Sequence, residues 1–230
     1  MESLLRVKNL NVTIEGKEIL KDISFEVMPQ EVLSIIGPNG AGKSVLLKAI
    51  LGILPVTGGK IEFGKGVKVG YLPQRFAVDR YLPMTVEEFL RLKPGVTTEQ
   101  IRESARALKL DASFLKKSLA SLSSGQMEKA LIAWVIADRP NLIFFDEPTE
   151  NIDVAGQESV YQLIDTFHHQ LKIAVVLVSH DLNVVYRYSH RVMCLNQKMQ
   201  CFGAPIEMLT NDVLQRLYGE HAVFEHHHHV

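Results

Sequence analysis

The stretch GPNGAGKS, Gly37 to Ser44, fits the pattern G-x-x-x-x-G-K-[ST], with the apolar run EVLSIIG before it and SVLLKAILGIL after it. A strand that turns through glycines into a helix can bring backbone N–H groups close to phosphate oxygens. Gly37, Pro38, Asn39, Gly40, Ala41 and Gly42 would supply that cradle, and the helix N-terminus adds a favourable dipole. Lys43 is placed to reach the β- and γ-phosphates and Ser44 to ligate Mg²⁺, a pairing that an ordinary glycine turn does not require. A second pattern is NLIFFDEPT, where a buried run ends in Asp146 and Glu147. Side chains alternate along a strand, so the two carboxylates are expected to play different roles. Asp146 is the candidate for the Mg²⁺ shell, and Glu147 the candidate to polarise a water attacking the γ-phosphate. His180 follows the apolar run VLVS and is expected at the carboxyl end of a strand, where open α/β sheets bind ligands. The pentapeptide LSSGQ, residues 122–126, carries no acid, base or metal ligand. Its Ser123 and Gln126 have the spacing of a helix capping box.

The elements that would hold these residues follow from the changes of period along the chain. Short β-rich runs (LLRVKNL, NVTI, ISFEV) come first, followed by the strand, turn and helix around residues 32–54. Polar amphipathic helices follow, each opened by its own Thr-x-x-Glu or Thr-x-x-Gln box (TVEE, TTEQ). From NLIFFD onward strands and helices alternate again, with VAGQESVYQLIDTFHHQL expected as a helix between buried strands. The expected fold class is α/β, one domain over residues 1–217. Its core spans about 1–75 and 131–217 and carries a helical subdomain of about 76–130, with residues 218–230 a flexible His-rich tail. With 230 residues, 47% of them hydrophobic, the chain can bury a substantial core. The formal charge of −1 argues against nucleic acid as a partner. Neither a signal-like leader nor a run of the ~20 apolar residues needed to span a bilayer is visible, so a cytoplasmic protein is expected. Cys194 and Cys201, on either side of a strand-turn-strand, are read as buried free thiols rather than a zinc pair or a disulfide.

The ordered set GPNGAGKS, YLPQ, LSSGQ, LIFFDEPT, ENID and LVSHD resembles the ATP-binding-cassette ATPases from about residue 5 to residue 210. The resemblance implies a P-loop (RecA-like) core with an N-terminal antiparallel β subdomain and an inserted helical subdomain. It also implies ATP and Mg²⁺ as cofactors. Gln74 then corresponds to the Q-loop glutamine, a candidate Mg²⁺ ligand beside Ser44 and Asp146, Glu147 to the catalytic base, Asp153 to the D-loop aspartate and His180 to the switch histidine. LSSGQ corresponds to the signature, whose Ser123 and Gly125, with Gln126, would meet the γ-phosphate of ATP held by a second copy of the chain. An ATP-dependent homodimer is therefore implied.

Three positions depart from the family pattern. Ser124 stands at a glycine-type position, Glu128 where an arginine is common, and Ile14 where an aromatic would stack on adenine. Within the family the stretch GYLPQRFAVDRYLPMTVEEFLRLKPG, with VYQLID, VLVSHDLNVV and RVMCLN, resembles the ATPases of bacterial high-affinity zinc importers, with those of manganese importers next. That implies a peripheral subunit on the cytoplasmic face of the cell membrane, docked on integral permease subunits and served by a periplasmic or extracellular metal-binding protein. A soluble non-transport ATPase of the family is the alternative from another class, and such chains usually carry insertions or a second cassette. His221 and the run His226–His229 form an imidazole cluster in the tail that could hold Zn²⁺.

Overall fold

The computed structural model describes residues 2–74, 82–147, 167–168 and 171–219. The chain divides into two compact units. One comprises Met1–Leu4, Val27–Val32 and Phe63–Leu177; the other comprises Leu5–Glu26, Leu33–Glu62 and Val178–Val230. The helix expected over residues 154–171, Asp153, the segment after Gln74 and the His-rich tail all lie wholly or mostly outside the described residues.

In the first unit the strands β5 (Val69–Leu72), β6 (Leu142–Asp146) and β7 (Ala174–Val178) lie side by side in that order. β5 and β6 are parallel, in register from Val69 opposite Leu142 to Leu72 opposite Phe145. Every residue of β6 and β7 is buried, as strands covered on both faces require, and this is why both read as unbroken apolar runs. The helices here are α2 (Val86–Arg91), α3 (Thr98–Ala107), the short α4 (Ala112–Leu115) and α5 (Ser124–Ile136). α2 and α3 open with the expected capping boxes, Thr85 with Glu88 and Thr97 with Gln100. α5 packs on α2, α3 and β5. Gly70 lets it come close to β5, since a Cβ there would stand 2.7 Å from a methyl of Val135. The far end of α5 is tied down by Lys93, whose ammonium donates to the carbonyls of Trp134 (2.8 Å) and Val135 (2.9 Å) and pairs with Asp138.

The second unit opens with a hairpin of β1 (Leu5–Ile14) and β2 (Lys17–Val27). The expected runs LLRVKNL and NVTI merge into one strand, which passes through Asn9 at φ 48. Its two-residue turn, Glu15 (φ 49) and Gly16 (φ 77), has both residues left-handed, the conformation that matches the twist of an antiparallel pair. β4 (Gly58–Phe63) lies on the other side of β1. β3 (Val32–Ile36), β8 (Arg191–Asn196) and β9 (Lys198–Gly203) are hydrogen-bonded neighbours in that order, β3 parallel to β8 and β8 antiparallel to β9. The helices are α1 (Lys43–Ile50), α6 (Leu182–Tyr188), α7 (Pro205–Met208) and α8 (Asn211–Tyr218). Ile36, Val185, Val192, Cys194, Leu214 and Leu217 are among the buried side chains of one apolar cluster.

The free-thiol expectation is overturned here, because Cys194 and Cys201 form a disulfide. The cause is register. Asn196 faces Lys198 and Leu195 faces Met199, but a bulge between Cys194 and Leu195 shifts the pairing so that Cys194 faces Cys201 instead of Gln200. The Cα atoms are then 4.8 Å apart, within bridging range.

Candidate functional site

The phosphate-loop residues sit between β3 and α1 in the second unit. Gly37 has φ 156, and a Cβ on it would overlap the carbonyl oxygen of Leu195 on β8, so only glycine fits there. Gly42 is the N-cap of α1 at φ 98 and makes no side-chain cap bond to the first turn. The loop between them is closed by Ala41 N–H donating to the Pro38 carbonyl at 3.1 Å. Lys43 is the first residue of α1 and is buried. Its ammonium folds back along the loop, donating to the carbonyls of Gly37 (2.8 Å) and Pro38 (3.1 Å). Ser44 follows it in the first turn of α1.

His180 is exposed and belongs to the same unit. The residue before it, Ser179, donates its N–H to the Ile35 carbonyl at 3.3 Å, two residues before Gly37. The residue after His180, Asp181, caps α6 by accepting from the N–H groups of Asn183 and Val184. His180 is thereby held between a strand end and a capped helix. Ile14 ends β1 with its side chain partly exposed.

The acidic pair lies in the first unit. Asp146 is the last residue of β6 and only 2% exposed, and the buried Tyr71 hydroxyl from β5 lies beside it. Burial first, and the Asp146 carboxylate second, push that phenol up to about 12. Glu147 is buried as well and accepts from the Gln74 side-chain amide at 2.8 Å, which brings together two of the residues singled out in the sequence. Both carboxylates are buried, Asp146 beside Tyr71 and Glu147 on the Gln74 amide, and strand alternation does not separate them. β6 ends at Asp146 and Glu147 is left-handed, φ 50, so a backbone turn separates them.

Ser123 and Gln126 form a reciprocal capping box at the start of α5, each bond 3.3 Å long. Ser124 is the first helical residue and does not have the left-handed φ that would have demanded glycine. A Cβ at Gly125 would meet nothing within 4 Å, so packing inside the chain does not explain the glycine. Two features escaped the sequence reading, Tyr71 beside Asp146 and the burial of Glu128. Glu128 is 9% exposed, its Oε1 has no hydrogen-bond partner, and burial pushes its carboxyl up to about 8. The flanking apolar residues of α5 were the available signal for the second.

The candidate Mg²⁺ donors are the Ser44 hydroxyl, the Gln74 amide and the Asp146 carboxylate, all hard oxygen atoms of the kind Mg²⁺ prefers. The residues therefore fit the ion.

A profile of the ABC transporter family matches residues 20–150. The zinc import ATP-binding protein ZnuC of Pasteurella multocida is 42% identical over 209 residues, 91% of this chain and 79% of that protein. ZnuC of Haemophilus influenzae is 40% identical over 233 residues, 99% of this chain and 86% of that protein. Among solved structures, a chain of a metal-chelate type ABC transporter in an inward-facing conformation superposes with a TM-score of 0.84 at 28% identity, covering 94% of this chain and 89% of that one. An ATP-binding cassette of an ABC transporter in its ADP conformation superposes with a TM-score of 0.79 at 22% identity and shares the fold, covering 93% of this chain and 95% of that one. The profile, spanning more than half of the chain, and relatives identical at two positions in five over nearly all of it establish that this protein belongs to the ABC transporter family, as an ATPase of that family.

Proposed function

We propose that the chain is the ATP-hydrolysing subunit of a membrane importer for zinc. The observation that carries the cargo is the identity of about two residues in five, over nearly the whole chain, to zinc import ATP-binding proteins. The subunit is one cassette, with its core over about 1–75 and 131–217 and its helical part over about 76–130. It works as a homodimer on the cytoplasmic face of the membrane, bound to integral permease subunits that receive the metal from an external binding protein. Among the described residues no helix is long and apolar enough to cross a membrane.

In this reading Gly37–Gly42 and Lys43 bind the ATP phosphates. Ser44, Asp146 and Gln74 would hold Mg²⁺, which would neutralise phosphate charge. Glu147 takes the proton of the attacking water, and the Gln74 amide on its carboxylate fixes its orientation. His180 contacts the γ-phosphate, and Ile14 offers the adenine an apolar edge. Ser123, Gly125 and Gln126 of a second copy close the site, so each dimer carries two composite ATP sites. The open space at Gly125 supports the approach of an anion from outside the chain.

The test is growth and metal content. A strain deleted for the gene should fail under zinc chelation, and added zinc or the wild-type gene should rescue it. A Glu147→Gln gene should not, since loss of a general base slows hydrolysis by roughly 10²–10⁴-fold. Rescue by manganese alone would reassign the cargo, and normal growth would end the transport reading.

A further inference from the structure

The end of β8 and the turn that leads to β9 each reach the phosphate loop at one point. The Leu195 carbonyl fills the space beside Gly37 that a side chain would need. Two residues on, Gln197 N–H donates to the Ala41 carbonyl at 2.9 Å. Gln197 is itself left-handed, φ 60, and its own carbonyl accepts from Lys21 N–H of β2 at 2.9 Å. The end of β8 and the turn together are thus a strut, anchored on β2 and bearing on both ends of the loop. Its hold depends on the strands behind it, and the β8–β9 ladder is irregular at Cys194/Leu195, immediately before the residue that touches Gly37. The Cys194–Cys201 bridge closes the ladder at that step. Cys194 also stands in register with Ile36, the last residue before Gly37, and shares its buried cluster.

We propose that the Cys194–Cys201 pair is a positioning group for the phosphate loop: as a disulfide it keeps the end of β8 and the turn after it seated against Gly37 and Ala41, and its reduction by a dithiol weakens ATP binding. In the reduction the S–S bond breaks, two electrons and two protons pass from the dithiol to the cysteine sulfurs, and the dithiol becomes a disulfide. The first attack falls on Cys201, which is partly exposed, because Cys194 is fully buried. Two unbonded sulfurs cannot stay as close as bonded ones, so reduction loosens the bulged step next to Leu195. Disulfides of reducing compartments are mostly transient or redox-sensing, which suits a pair so placed.

The inference rests on Gly37–Ser44 being the cradle for ATP phosphates, and the experiment separates the two. The 230-residue chain contains two cysteines, so thiol counting with a maleimide after its denaturation reports this pair alone. The affinity for ATPγS with Mg²⁺ is measured on oxidised and dithiothreitol-reduced protein, and kcat at saturating ATP on the same samples. Reduction should weaken binding by roughly threefold to tenfold while kcat stays within about twofold. The Cys194→Ala/Cys201→Ala double variant should bind like the reduced protein and ignore dithiothreitol. Lys43→Ala should bind poorly in both redox states, and if it does not, the cradle reading itself fails. Equal affinity of oxidised and reduced wild type overturns the proposal, a comparison that stands even if the double variant does not fold. So does a dithiothreitol effect that persists without the cysteines, or a pair that stays reduced under mild oxidant.

Discussion

The helix that follows the phosphate loop and the helix that follows Leu122 begin in opposite ways. α1 starts on Gly42, a left-handed residue with no side chain to offer its first amides. α5 starts on Ser123, whose hydroxyl serves Gln126 N–H while the Gln126 side chain serves Ser123 N–H. Each region also buries an ionisable residue near the helix start. Lys43 has two loop carbonyls to hold its charge, whereas Glu128 leaves one carboxylate oxygen unpartnered. The contrast sets a helix start whose first amides are left out of side-chain caps against one that satisfies its own first turn, as the proposed function asks of a start that binds the chain's own ATP and of one that meets a partner's. α1 is shaped by backbone conformation and α5 by side-chain bonds, so substitutions should separate them.

The largest effect is expected at Ser123. Ser123→Arg should cut hydrolysis by about 100-fold, the scale for losing a donor to developing phosphate charge, with ATP affinity of the isolated chain changed less than about twofold. On the proposed function one intact composite site forms per mixed dimer, so mixing Ser123→Arg chains with Lys43→Ala chains should restore part of the activity. A fully active Ser123→Arg protein would leave Ser123 as a helix cap and nothing more. At Gly42 the effect should be smaller and fall on binding. Gly42→Ala forces a side chain into a left-handed residue, at about 1–2 kcal/mol, and brings its Cβ to 2.7 Å from a Leu20 methyl. ATP affinity measured by calorimetry should fall roughly tenfold; unchanged affinity would remove the α1 N-terminus from the phosphate site.

The smallest effect is on stability. Glu128 has its carboxyl raised from 4.5 to about 8, so the folded protein holds that proton more tightly than the unfolded chain. Its contribution is therefore present in full below about pH 4.5 and is lost as the pH rises through about 8. Glu128→Gln carries no such charge. Its melting temperature should exceed that of the wild type by a few degrees at pH 9, with the gain shrinking towards pH 5. A difference independent of pH would mean that the carboxyl is not titrating in its buried site.

What could be read from the sequence was what is contiguous. Gly37–Ser44 is eight consecutive residues with a lysine and a serine where the chemistry needs them, and each capping box joins residues three apart. The apolar runs LIFF and VVLV announce strands buried on both faces. Hidden features depend on how distant segments meet or on a single dihedral angle. The disulfide follows from one extra residue in β9, which no periodicity reveals. The separation of Asp146 from Glu147 follows from a left-handed φ that a charged residue rarely adopts. Tyr71 approaches Asp146 only because β5 pairs with β6.

The capping boxes at Thr85, Thr97 and Ser123 have a consequence for the order in which the chain can organise itself. Each is decided within one turn of helix and closes no long loop. The pairing of Val69 with Leu142, by contrast, must close a loop that contains all three. Helices that start on their own caps stiffen and shorten that loop before its ends meet, so the entropy the two strands must surrender is smaller than their separation along the chain implies.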